Sequence, residues 1–122
     1  MPSDTRDAET HVLRRLEAAI VYCWDFSNEN VVAKGAVLSA PTLTITDGAA
    51  LVTMGTPAVI TEAFDETDEN GNVADTVAIG KGVAAAITPG NTKGQCSVTC
   101  KVAATLNSVV SYPVRVLNFK VL

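Results

Sequence analysis

The sequence predicts an all-β fold: an antiparallel β-sandwich of immunoglobulin-like dimensions, with a short N-terminal helix or arm. Three observations predict it. Val, Ala and Thr supply 17, 17 and 14 of the 122 residues, and Val and Thr are stiff at the first side-chain torsion and favour a pleated surface. Short apolar-polar alternations recur from Ile20 to Val121, the period of half-buried strands. Turn residues interrupt them at roughly 8–12-residue intervals, the spacing of sandwich hairpins. A helical bundle, rich in Leu and Glu, is disfavoured by the same composition. The length fits one domain. Within it, residues 1–19 read as an N-terminal helix or docking arm and residues 20–122 as the sandwich.

The elements follow in order. In residues 3–19, Val12, Leu13, Leu16, Ala19 and Ile20 recur at helical spacing. Early acids and the later pair Arg14–Arg15 suit a helix dipole. So short a helix is marginal alone. It either closes one end of its own sandwich or docks on another subunit. The first strand runs from Ile20 to Phe26 and holds the single Trp, Trp24. Val31 to Leu38 reads as the second, followed by Pro41. Thr42-Leu43-Thr44-Ile45-Thr46 alternates strictly before Asp47-Gly48, a turn pair tolerant of positive φ. Leu51 to Met54 and Ala58 to Phe64 continue the set. Asp65 to Asn72 reads as an acidic loop around Asn70-Gly71. Short strands at Thr76 to Ile79 and Val83 to Ile87 flank Gly80-Lys81-Gly82. Beyond the turn from Thr88 to Gly94, Cys96 to Ala104 and Tyr112 to Val121 are the last strands.

Composition also bounds the setting. No run reaches the ~18 apolar residues of a membrane helix, and the charged start is unlike a secretory signal. The expectation is a chain made in a cytosol, or built there into something larger. Net charge is −4, unevenly spread. Residues 20–75 carry nine acids against Lys34, while residues 76–122 carry five cations and no acid. Either the fold mixes these charges, or a polar subunit packs head to tail or docks on a charged neighbour. Without an Arg cluster, nucleic-acid binding has little support. Cys23, Cys96 and Cys100 are three, so no closed disulfide framework exists. On one strand, Cys96 and Cys100 stand about 13 Å apart, too far to bond. They read as small buried side chains.

Chemistry is thinly represented. His11 is the single histidine and reads as part of a solvated helix face. The acidic loop places Glu66, Asp68 and Asn70 at the first ligand positions of a calcium loop. Its twelfth position is Val77 where a bidentate acid is required. Neither glycine-rich turn has the Lys-Ser/Thr ending of a phosphate loop. No enzyme, cofactor or metal centre is expected.

Trp24-Asp25-Phe26-Ser27, the Leu43–Gly48 alternation, and the stretch Val83–Ile87, Gly90, Gly94, Cys96–Val102 together resemble small tailed-bacteriophage virion proteins of the fibre–tail adaptor type. Val114-Arg115-Val116-Leu117 fits their last strand. The resemblance covers roughly residues 20–122. It departs at Thr88-Pro89-Gly90, at Cys96 and at Leu106-Asn107-Ser108, and leaves residues 1–19 uncovered. It implies a non-enzymatic virion protein, present in several copies, joining tail, neck, portal-proximal or fibre subunits, with no nucleic-acid or membrane partner. The alternatives are a capsid decoration protein and a carbohydrate-binding module. Val12, Leu13, Arg14, Arg15 and Leu16 are the expected contacts, with Trp24 either a contact or part of the core.

Overall fold

A computed structural model describes residues 10–48, 50–67 and 71–122. Its spine is a long hairpin. Strand β9 (Gly94–Leu106) pairs with β10 (Val109–Ser111) and β11 (Val114–Val121) in one unbroken register, from Leu106↔Val109 to Gly94↔Val121. Between the two pieces the Val102 amide donates to Pro113 O. Pro113 has no N–H to return, so it interrupts this strand without ending it. The turn is Asn107-Ser108, at φ 51 and 66. Two residues at positive φ match the right-handed twist of a tight hairpin. This turn and β10 went unseen in the sequence, because the pair is not the usual Asn-Gly.

On the other side of β9 lies β3 (Val37–Asp47), antiparallel, with register slips between Ser39 and Thr42 and between Ile45 and Asp47. Pro41 and the bulge at Ala40, φ 50, blunt this edge against stray pairing. On the far side, β1 (Thr10–Leu13) lies parallel to β11, with Thr10 opposite Asn118. The second sheet is β2 (Ile20–Asp25), β8 (Gly82–Pro89), then β4 (Val52–Met54) and β5 (Ala58–Val59) end to end along one edge of β8. Lettered A to G in chain order, with β4 and β5 as D, the sheets are B-E-D and C-F-G. This is immunoglobulin-type connectivity, with the first strand on G.

A third layer sits between D and E in sequence. The hairpin of β6 (Phe64–Thr67) and β7 (Val73–Val77) covers the small-residue outer face of the second sheet. Cys23, Ile60 and Val77 are buried there, with Phe64 and Ala84 against them. Gly82 makes the approach close: a Cβ there would stand 2.7 Å from Cys23 Sγ and 2.8 Å from Val77 Cγ1.

The main core lies between the sheets. Alternate residues Cys96, Val98, Cys100, Val102 and Ala104 of β9 face it, as do Leu117, Phe119 and Val121 of β11. Trp24, Val83, Ala85 and Ile87 answer from the second sheet. Trp24 is wholly buried, and its indole Nε1 donates to Val98 O at 3.1 Å. The buried N–H is thus satisfied by the central strand of the opposite sheet.

Several expectations change. The helical spacing of Val12, Leu13 and Leu16 does not make a helix, since Thr10–Leu13 is a strand. A short helix is weak alone, whereas a strand on β11 gains ladder bonds and buries Leu13 in the core, 1% exposed. Residues 10–13 are therefore part of the sandwich, and the boundary at residue 19 does not separate an arm from it. Residues 1–9 lie outside the described residues. Val31 to Leu38 is not one strand. The helical turn α1 (Asn30–Ala33) buries Val32 and stops at Gly35, φ 103, where Gly35 N–Val32 O and Ala36 N–Val31 O bonds close its end. Only glycine takes that φ without strain. Within the acidic loop, Asp65–Thr67 lie in β6, which pairs with β7 beginning at Val73, and residues 68–70 lie outside the described residues. The three cysteines are free and buried.

Candidate interaction surface

The six sequence-predicted contacts divide by burial. Leu13 and Trp24 are core, so neither reaches a partner. Val12 is 56% exposed on the outward side of β1. Arg14, Arg15 and Leu16 come together in the connection from β1 to β2. Glu17 N bonds Arg14 O at 3.3 Å, which closes a four-residue turn with Leu16 at its third position. Leu16 has φ 61 and is 72% exposed. Glycine normally fills that position in a type II turn, and a leucine there carries about 1–2 kcal/mol of strain. The turn is held by Leu16 N to Gly90 O, 3.1 Å, and by Arg15 Nε to Leu122 O, 3.1 Å. A large apolar side chain thus stands in water directly after two arginines. Arg14 reaches Glu17 at 4.0 Å with its side chain 80% exposed, a weak surface pair.

A second exposed feature lies along β10 and β11, missed in the sequence. Their outward residues Val110, Tyr112, Val114 and Val116 are 46, 62, 49 and 38% exposed and form one row. Outward neighbours on β9 and β3 are mostly hydroxylated, including Thr99 bonded to Thr46 at 2.7 Å. Lys101 Nζ stands 5.3 Å from the Tyr112 ring centre. The signal was the adjacent apolar pair Val116-Leu117: neighbours on a strand face opposite sides, so one of the two must point outward. It marks the outward residues of β11 as apolar too, which a sandwich face in water does not require.

His11 is not on a solvated helix face. It packs between the sheets, 5.0 Å from the Tyr22 ring and 5.6 Å from Phe119. Burial pushes the Tyr22 hydroxyl pKa upward, and the Glu17 carboxylate adds to this. A cleft of about 120 Å³ between β2, β11 and the β6–β7 hairpin is lined in part by His11, Cys23, Phe64 and Glu66. It has room for a few waters rather than a drug-sized ligand.

Carboxylates also converge at the other end of β2. One oxygen each from Asp25, Glu66 and Asp75 lie within 4.8 Å of one another. Asp25 and Glu66 are buried. Asp25 Oδ1 accepts from the Ser27 amide at 2.8 Å and the Ser27 hydroxyl at 2.6 Å. Oxygen donors of this kind suit a hard cation. Glu66 is the one residue of the sequence-read calcium loop to join the cluster; Asp68 and Asn70 lie outside the described residues. Asp25 comes from 41 residues before Glu66, so sequence spacing held no sign of it.

Among the described residues, no helix is long and apolar enough to cross a membrane. Compared with known proteins, the chain matches no family model, no curated protein and no solved structure.

Proposed function

We propose that the chain is a non-enzymatic structural subunit of a bacteriophage virion, an adaptor that joins tail or neck to fibres by protein–protein contacts. The observation that carries the structural role is the exposed apolar row Val110, Tyr112, Val114 and Val116. Contiguous exposed apolar surface on a sandwich supports association with another protein. The virion setting rests on the resemblance of residues 20–122 to fibre–tail adaptor proteins. Tyr112 is the aromatic side chain most exposed to solvent, while Trp24, Phe26 and Phe119 are buried. One exposed ring gives little support to sugar stacking.

The test is incorporation. Tyr112→Ser with Val114→Ser leaves the inward face untouched, so the variant folds. It is expected to be missing from purified particles that contain the wild-type chain. Normal incorporation would sink the reading. Copy number then separates an adaptor, at about six or twelve per particle as in a cyclic assembly, from a decoration protein present in hundreds.

A further inference from the structure

We propose that two copies of this chain pair edge to edge through residues 109–117, antiparallel about a two-fold axis at Pro113, so that their β3–β9–β10/β11 sheets join into one. This rests on the reading of the exposed apolar row as a contact surface and names its partner as a second copy.

Main-chain geometry leaves this edge open. In an antiparallel ladder, alternate residues bond the neighbouring strand, and those between them turn N–H and C=O the other way. Pro113 O accepts from the Val102 amide, so Ser111, Pro113, Arg115 and Leu117 face β9. Val110, Tyr112, Val114 and Val116 therefore direct their main-chain groups away from it. Leu122 follows the same alternation: it donates to Leu13 O and accepts from the Arg15 amide, both on the side of β1. That strand covers the edge only from Asn118 to Val121. Among the described residues, no strand lies against residues 109–117 on this side.

The edge is suited to pairing with itself. At the opposite edge of the sheet, β3 carries Pro41 and the bulge at Ala40, devices that discourage strand addition. Here the outward side chains are three valines and a tyrosine. Pro113 is no obstacle, because its missing N–H falls on the β9 side. An antiparallel partner centred on Pro113 sets Val110 against Val116 and Tyr112 against Val114, each twice, with roughly eight ladder bonds. Aromatic and β-branched neighbours across two strands favour such a pair. The Asn107-Ser108 turn of each copy then ends beside Asn118 of the other, where β1 begins, so the pairing fills the open length. Both copies use the same patch, and the contact is isologous and closes at two. A seam about 30 Å long and one strand wide stays below the about 1,200 Å² of a stable interface. The pair is therefore weak in dilute solution and forms at high concentration.

Sedimentation velocity of the full chain at concentrations up to about 1 mM tests this. A dimer is expected, with no larger species. It should persist at about 1 M salt, since no ion pair holds it. Val116→Pro removes an outward N–H that β9 does not use and is expected to weaken association about tenfold or more. Val114→Lys places a charge on the exposed face and should do the same, which covers the case in which the proline disturbs folding. Cysteine variants read the register. Pro113→Cys lies about 4.5 Å from its copy across the axis, within disulfide reach. Val110→Cys lies about 20 Å from its copy. Under air oxidation only the first is expected to give a covalent dimer, since the three natural cysteines are buried. A chain that stays monomeric or grows past the dimer, association indifferent to both Val116→Pro and Val114→Lys, or equal cross-linking at the two positions overturns the proposal. Dimerisation only after removal of residues 1–9 overturns it as well. A monomeric chain that enters particles, and is lost from them on Tyr112→Ser with Val114→Ser, overturns the pairing and keeps the adaptor reading. A dimer whose Tyr112→Ser with Val114→Ser variant still enters particles normally overturns that reading and keeps the pairing.

Discussion

Single side chains decide more of this molecule than its composition suggests. Trp24 spans the core to reach Val98 O. Trp24→Phe leaves that buried carbonyl short of a donor and opens a small void. A loss of about 2–4 kcal/mol is expected in urea unfolding. Leu16 works the other way. Leu16→Gly relieves the strain of φ 61, against the greater freedom glycine has when unfolded. A net gain of about 0.5–1 kcal/mol is expected; a loss would show that the exposed side chain supports its own fold. Burial pushes the Cys100 thiol up to about 12, while an unfolded thiol ionises near about 8.5. The folded chain therefore holds this proton where the unfolded chain releases it. Stability from this group is complete below about pH 8.5 and declines as pH rises toward 12. Cys100→Val should flatten that decline in a pH series of unfolding curves. The thiol's burial was legible from the alternation of Cys96 to Val102, and its partners across the sheet were not.

Among the elements, those with period-two alternation and ordinary turn residues were readable: β2, β8, β9 and β11 lie within a few residues of their expected spans. Those shaped by non-local contact were not. The β6–β7 hairpin has three acids among its nine strand residues, Asp65, Glu66 and Asp75, and its first strand read as part of an acidic loop, yet Phe64 and Val77 anchor it on the second sheet. Its seat depends on Gly82. Gly82→Ala sets a methyl against Cys23 Sγ and Val77 Cγ1 and should cost about 1–3 kcal/mol. Hydrogen exchange is expected to quicken first in residues 64–67 and 73–77. Equal loss of protection across both sheets would show that the hairpin is not a separate layer.

For the whole molecule, the first strand changes the meaning of the N-terminal segment. Removing residues 1–19 takes away β1 and with it Leu13, one of the largest fully buried side chains. A loss of about 2–5 kcal/mol or more is expected from the core vacancy alone. The truncated chain should unfold at a markedly lower temperature by circular dichroism. An unchanged transition would mean that β1 is dispensable. Contacts to a partner are better tested by point changes at Arg14 or Tyr112, which leave the sandwich intact.

The sequence by itself determined the fold class, since Val and Thr alternation and turn spacing are local properties that any strand order preserves. It also placed Cys96 and Cys100 inside, as the structure has them. Tertiary structure decided the remainder. Helical spacing in Val12 to Leu16 was overruled because β11 offered ladder bonds and a pocket for Leu13. Asp25 met Glu66 and Asp75 because a hairpin inserted between D and E folds back on the end of β2. Those outcomes depend on which residues meet across the fold, and spacing along one chain does not encode that.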